Sequence, residues 1–165
     1  MIMTKIELKN IKYAEFSSEE TNCYTATLYV NGKRFAIVSN EGRGGSDMQD
    51  PISPFTYKDL TKLQETIAKE YPKWGSEFGD GEEYPATLEI VCGDLMNQWH
   101  IDNDIKQTLK KISFVRRPSC KEIYTLGNVS QAKKDGDKIR KKILADNPNA
   151  VILNDISIEE ARKYF

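Results

Sequence analysis

The chain has 165 residues, with 24 Lys+Arg against 25 Asp+Glu and a formal net charge of −1. With 39% hydrophobic residues, ten Gly and six Pro, it reads as a single α+β domain over residues 1–165. These figures exclude a collagen-like rod, a disulfide scaffold and a strongly basic nucleic-acid coat. No stretch approaches the roughly 18 uninterrupted apolar residues of a membrane span, so no membrane partner is expected. Charge begins at Lys5 and no apolar leader precedes it, while Cys23, Cys92 and Cys120 are odd in number and lack CxxC spacing. Free thiols in a reducing compartment follow, and the expected location is cytoplasmic.

Residues 5–16 have strand character, but Ile6 and Leu8 share one parity and Ile11 and Tyr13 the other. A bulge near Asn10, which inserts one residue, reconciles them. Asn31-Gly32 then separates two β-rich runs, residues 23–30 and 33–39, and suits a type I′ hairpin turn. A two-residue turn predicts Tyr29 opposite Arg34, Leu28 opposite Phe35 and Ala26 opposite Ile37. The first forty residues thus read as a three-stranded antiparallel meander.

A long connection follows, from Asn40-Glu41-Gly42-Arg43-Gly44-Gly45-Ser46-Asp47 through Pro51 and Pro54 to Thr56. Connections of this length are commonly functional. Asn40, Gly42, Arg43, Gly44 and Gly45 are the candidate binding residues: glycines let backbone N–H groups approach an anion, and Arg43 supplies charge. The alternative is a plain hairpin-to-helix connector. No Lys-Ser/Thr follows, so the loop is not of Walker type.

Residues 56–71 predict an amphipathic helix, with Leu60, Leu63 and Ile67 on one stripe, Thr56 and Asp59 as a capping box and Pro72 as the stop. A second helix is expected from about Pro85, on the stripe Leu88, Val91, Cys92, Leu95, Met96 and Trp99, with Gly93 permitting close packing. A third carries Ile105, Leu109 and Ile112, with Asp102 or Asn103 as N-cap. Between the first two lies an acidic, glycine-bearing loop, residues 73–84, with Trp74, Glu77, Phe78, Asp80, Glu82 and Glu83. It lacks the spacing of a calcium loop, so no metal is expected there. Trp74 and Phe78 read as loop anchors on the core, the alternative being exposed contact residues. The single histidine, His100, has neither a second His for zinc nor an identifiable nucleophile, so no catalytic residue is assigned.

Residues 111–117 and 121–126 read as strands, residues 130–146 as a helix and residues 150–154 as a strand. This β-α-β unit permits a crossover joining a mixed sheet. Ser157 and Glu160 form a further capping box. Charge segregates along the chain: residues 57–105 carry −7 and residues 106–165 carry +7, with +9 inside 106–142. Such a local excess attracts polyanions. Arg116, Arg117 and Lys121 are therefore candidate phosphate contacts, with Lys133, Lys134, Lys138, Arg140, Lys141 and Lys142 on the helix; the alternative is that these charges merely cover the solvent face of a helix, offset by the acidic middle segment.

The stretch Tyr29-Val-Asn-Gly-Lys-Arg-Phe-Ala-Ile-Val-Ser-Asn40 with its Gly-rich continuation, together with Asn149-Ala-Val-Ile-Leu-Asn-Asp155, resembles small accessory proteins of bacteriophages and prophages. The resemblance implies a host-directed role, such as inhibiting a bacterial defence complex by occupying its surface. The sequence as a whole favours a non-enzymatic interaction protein with a macromolecular, chiefly protein, partner and no cofactor. The alternatives are a nucleic-acid or phosphate-ligand binder using residues 106–142 and Gly42–Gly45, and then a small-molecule phosphate-processing enzyme.

Overall fold

The computed structural model describes residues 3–75 and 82–165. Within it the chain forms two compact units, Met1–Met96 and Asn97–Phe165, the division falling inside a helix. The class is α+β, with an antiparallel sheet at the N-terminal end.

In the first unit four strands run in the order β1 (Ile6–Tyr13), β2 (Cys23–Val30), β3 (Lys33–Glu41) and β4 (Met48–Pro51), every pair antiparallel. The β2–β3 turn is of the expected kind: Asn31 and Gly32 have φ of 49° and 78°. The bulge in β1 is also present. Lys9 faces Thr27 and Lys12 faces Thr25, so one extra residue is accommodated, with Asn10 at φ 55°. Two expectations need correction. The hairpin register holds only for Tyr29 opposite Arg34, after which a second bulge places Leu28 opposite Ala36 and Ala26 opposite Val38. The extra residue turns Ala36 and Val38 inward with Leu28, all fully buried, while the Phe35 ring packs 4.7 Å from that of Phe55. Burying a whole face outweighs the ladder bonds a bulge forfeits. Secondly, part of the expected connector is β4, which makes the meander four-stranded.

Helix α1 (Tyr57–Glu70) begins at Thr56, whose N–H donates to the Asp59 carboxylate at 3.0 Å. Leu63 and Ile67 are buried on its stripe. Its C-terminal end is fastened to the strand entering β1: Thr4 N–H donates to Glu70, and the Tyr71 hydroxyl donates to the Thr4 carbonyl. The ends of the acidic loop pair as β5 (Trp74–Gly75) and β6 (Glu83–Tyr84), the Trp74 and Tyr84 rings 5.5 Å apart. Glu77, Phe78 and Asp80 lie outside the described residues. Helix α2 (Leu88–Thr108) is continuous where two helices are expected, so Asp102 and Asn103 are interior residues and not caps. Leu88, Val91, Cys92 and Met96 are buried as their spacing requires, but nothing lies within 4 Å of a Cβ added at Gly93, so close packing does not explain that glycine.

The second unit has a three-stranded sheet, β8 (Tyr124–Leu126), β7 (Ile112–Val115) and β9 (Val151–Ile152), with β7 central. Helix α3 (Val129–Asp146) joins β8 to β9, so the β-α-β order is as expected. The mixed sheet is not. Both outer strands pair antiparallel with β7, which lies between them and takes the ladder positions a direct β8–β9 pairing would use. Ile112, Phe114, Ile143 and Ile152 form the core, with Tyr124, Ala132, Ile139 and Ala150 against it. The half-buried Asn154 side chain donates to the Leu109 and Lys111 carbonyls and accepts from Ser113 N–H, which satisfies groups the short strands leave open. Helix α4 (Ile158–Ala161) starts at the expected capping box, with Glu160 N–H donating to the Ser157 hydroxyl and Ser157 N–H to the Glu160 carboxylate, each 3.1 Å. Arg162 forks onto Asp102 at 2.8 and 2.9 Å.

Candidate functional site

The candidate residues fall into two groups, one in each unit. Asn40, Gly42, Arg43, Gly44 and Gly45 lie at and beyond the end of β3; Arg116, Arg117 and Lys121 lie between β7 and β8.

Asn40 is the hub of the first group. Its side-chain oxygen accepts from the Thr21 hydroxyl and from Gly42 N–H, both at 2.8 Å. Its amide donates to the Gly45 carbonyl at 2.8 Å and to Asp47 at 3.1 Å. Asp47 in turn accepts from the buried Tyr24 hydroxyl, and its own N–H donates to Glu89. The carbonyl of Gly42 receives three N–H groups, from Glu19, Glu20 and Thr21, at 2.9 to 3.3 Å. Gly42 is buried at φ +85°, and a Cβ there would meet the Ser17 carbonyl oxygen at 2.2 Å. Gly44 N–H reaches the Thr21 hydroxyl at 3.3 Å. Two N–H groups of the glycine run are thus turned to acceptors within the protein, and Gly42 and Gly44 serve close packing of the 40–47 loop on the 17–21 turn, whereas a Cβ at Gly45 would meet nothing within 4 Å. Polar networks of this density rigidify the backbone that carries them.

Burial raises the Tyr24 phenol well above its ordinary value, with the Asp47 hydrogen bond adding to the effect. Burial likewise pushes the Cys92 thiol up to about 12, with Asp47 and Glu89 contributing. Tyr24 is therefore a fixed donor, and Cys92 a packing residue and not a thiolate.

Arg43 stands exposed on this locked loop, at the shared lip of two depressions. One, of about 650 Å³, is lined on its other sides by Lys12, Phe16, Glu19, Cys23 and Glu41. The other, of about 360 Å³, includes Ser46 and Met48. Phe16 sits on a single 3-10 turn, Glu15–Ser17, and is 92% exposed. The turn is held by Ser17 N–H on the Ala14 carbonyl and Ser18 N–H on the Glu15 carbonyl, both at 3.1 Å. An aromatic ring kept in water costs free energy that a partner recovers by covering it. Sequence pattern alone does not single out Phe16, because a lone aromatic at the end of a strand run reads as core; the signal is the polar stretch Ser17-Ser18-Glu19-Glu20 beginning immediately after it.

In the second unit the Arg116 guanidinium lies 4.4 Å from the centre of the Tyr124 ring, which also packs on Phe114. Arg117 and Lys121 are exposed on the same connection, where Cys120 N–H closes a turn onto the Arg117 carbonyl. On α3, Arg140 is drawn to Asp155 at 2.9 Å and Asp137 at 3.6 Å. His100 packs edge-on against Trp99 at 5.1 Å.

These features define an α+β protein with a rigid, arginine-bearing loop in one unit and cationic segments in the other. Among the described residues no helix is long and apolar enough to cross a membrane, and no group of three or more His, Cys, Asp or Glu is placed to hold a metal ion. No family model, no curated protein and no solved structure matches the chain.

Proposed function

We propose that this chain is a non-enzymatic interaction protein that binds another protein through the groove between Phe16 and Arg43. The observation that supports this most is the pairing of a 92% exposed phenylalanine with an arginine on a hydrogen-bonded loop, both lining one groove. Aromatic and arginine side chains are the residue types that dominate binding energy at protein interfaces. Holding both on ordered backbone lowers the entropy lost on association. The partner that fits offers an apolar side chain to the Phe16 ring and a carboxylate to the Arg43 fork. Occupying a host complex and inhibiting it is the form of this role that the phage resemblance suggests.

The test is affinity capture from bacterial lysate with nuclease present, using the wild-type chain, Phe16→Ala, Arg43→Glu and the double variant. One defined complex should be retained by the wild type, weakened by each single change and lost with both. Phe16→Ala should unfold within about 0.5 kcal/mol of wild type, as surface substitutions do. Equal capture by all four chains would end this proposal.

A further inference from the structure

The second unit carries fourteen Lys+Arg against nine Asp+Glu, a net charge of +5, while the whole chain is −1. Much of this charge lies on α3. Lys138 and Lys142 stand one turn apart on a single helix face with Lys141 beside them, and Lys134 adds its charge from the other side of the break at Asp135. All four are exposed. Like charges at this spacing repel, so the stripe works against its own helix. A face built only for solubility meets the same need with alternating signs. The protein does supply counter-charges to α3, but spends its better-placed one elsewhere: Asp155 is committed to Arg140 at 2.9 Å, whereas among the described residues the stripe's ion pair is Lys138 to Asp135 at 3.6 Å, with the lysine 86% exposed. Exposed pairs of that kind exchange readily for a stronger anion.

The helix is also shaped at this point. Asp135 departs from helical geometry, at φ −123° and ψ 22°, and beside it opens a surface depression of about 360 Å³. Its charged lining is Lys133, Lys134, Lys138 and Arg140 against Asp135 and Asp137. A row of ammonium groups beside a cationic depression suits a ligand with regularly repeated negative charge.

From this placement we infer that the α3 face binds the phosphodiester backbone of double-stranded nucleic acid. A duplex is favoured over a single strand because the depression and the stripe carry no aromatic side chain on which unpaired bases would stack. Recognition is through phosphates, so it is independent of base sequence. This inference uses residues of the second unit alone and stands apart from the Phe16–Arg43 groove.

The experiment is fluorescence anisotropy of the full chain with a labelled 20-base-pair DNA duplex between 50 and 200 mM salt. The triple variant K134E/K138E/K142E is compared with K58E/K62E/K69E on α1, which changes net charge equally. Wild type and the α1 variant should bind with a steep salt dependence. The α3 variant should lose about tenfold or more in affinity at 100 mM salt, and three fewer phosphate contacts should flatten the log–log slope by about 2.7. A milder variant, K134A/K138A, should shift both quantities in the same direction, which guards against misfolding of the triple variant. Absence of duplex binding at 50 mM salt, equal losses in the α1 and α3 variants, or equal displacement by inorganic phosphate at matched ionic strength would overturn the inference.

Discussion

The 40–47 loop and helix α3 both attract attention in the sequence, one for its glycines and the other for its lysines, yet they are built on opposite plans. In the loop the polar groups are spent inward: Asn40 alone makes four hydrogen bonds, and Gly42 accepts three N–H groups. The Arg43 guanidinium and the Phe16 ring face water on this locked backbone, with the exposed Glu41 and Ser46 beside them. On α3 the polar groups are spent outward, and its lysines stand along an exposed face with one weak pair among them. A loop fixed from beneath presents a few groups in one geometry, which suits recognition by shape. A helix that repeats one charge presents a field, which suits recognition by electrostatics.

The sharpest way to break this contrast is at Gly42. Gly42→Ala places a Cβ against the Ser17 carbonyl oxygen at 2.2 Å and the Cys23 Cβ at 2.9 Å, at a φ that L residues avoid. The expected cost is about 3 kcal/mol or more, from left-handed strain and overpacking together, read as a lowered urea midpoint. If Gly42→Ala unfolded like wild type, the loop would be a loose connector. Asn40→Ala comes next, at about 2 kcal/mol for the unmet partners it leaves, with faster proteolysis between residues 40 and 47. In the second unit, Asn154→Ala strips acceptor or donor from Ser113, Leu109 and Lys111 and should cost a similar 1 to 2 kcal/mol, whereas the lysine-to-alanine changes on α3 should stay within about 0.5 kcal/mol.

The smallest expected effect is one of pH. The Arg162 fork holds the Asp102 carboxyl below its ordinary value, with Gln98 and Lys106 adding to the effect. A lowered folded-state pKa means that the stabilisation is complete above the unfolded carboxylate value and fades as pH falls through the folded one. Amide protection in residues 158–165, taken relative to the unstructured rate at each pH, should therefore fall below the usual carboxylate range, and Asp102→Asn should show the lower protection already at neutral pH. Protection that is independent of pH and equal in both chains would remove Asp102 from the account of how the C-terminal turn is held.

The parts of the molecule legible in its sequence are those governed by local chemistry. Asn31-Gly32 specifies its turn, Thr56 with Asp59 and Ser157 with Glu160 specify helix starts, and the parity break at Asn10 specifies a bulge. The second bulge was not legible, because residues 33–38 alternate acceptably in either register and only the choice between burying Ala36 or Ile37 decides. The position of β7 between β8 and β9 depends on pairing across the chain, which local pattern does not encode. At the candidate site, the glycines and Arg43 stood out in the sequence, but the reason for the glycines did not: Gly42 meets Ser17 and Cys23, about twenty residues away, only once β2 and β3 have paired. Phe16 was missed on the same ground, since exposure is a property of the folded chain.

The claim on which the rest depends is that Phe16 and Arg43 together make a contact surface. A photo-crosslinking phenylalanine analogue at position 16, with a second chain carrying it at exposed Tyr57 as control, tests it in lysate. The account predicts a discrete, nuclease-resistant protein adduct from position 16 alone, suppressed by excess wild-type chain and not by excess Phe16→Ala/Arg43→Glu chain. The same adducts from both positions, or suppression by both competitors alike, would contradict it.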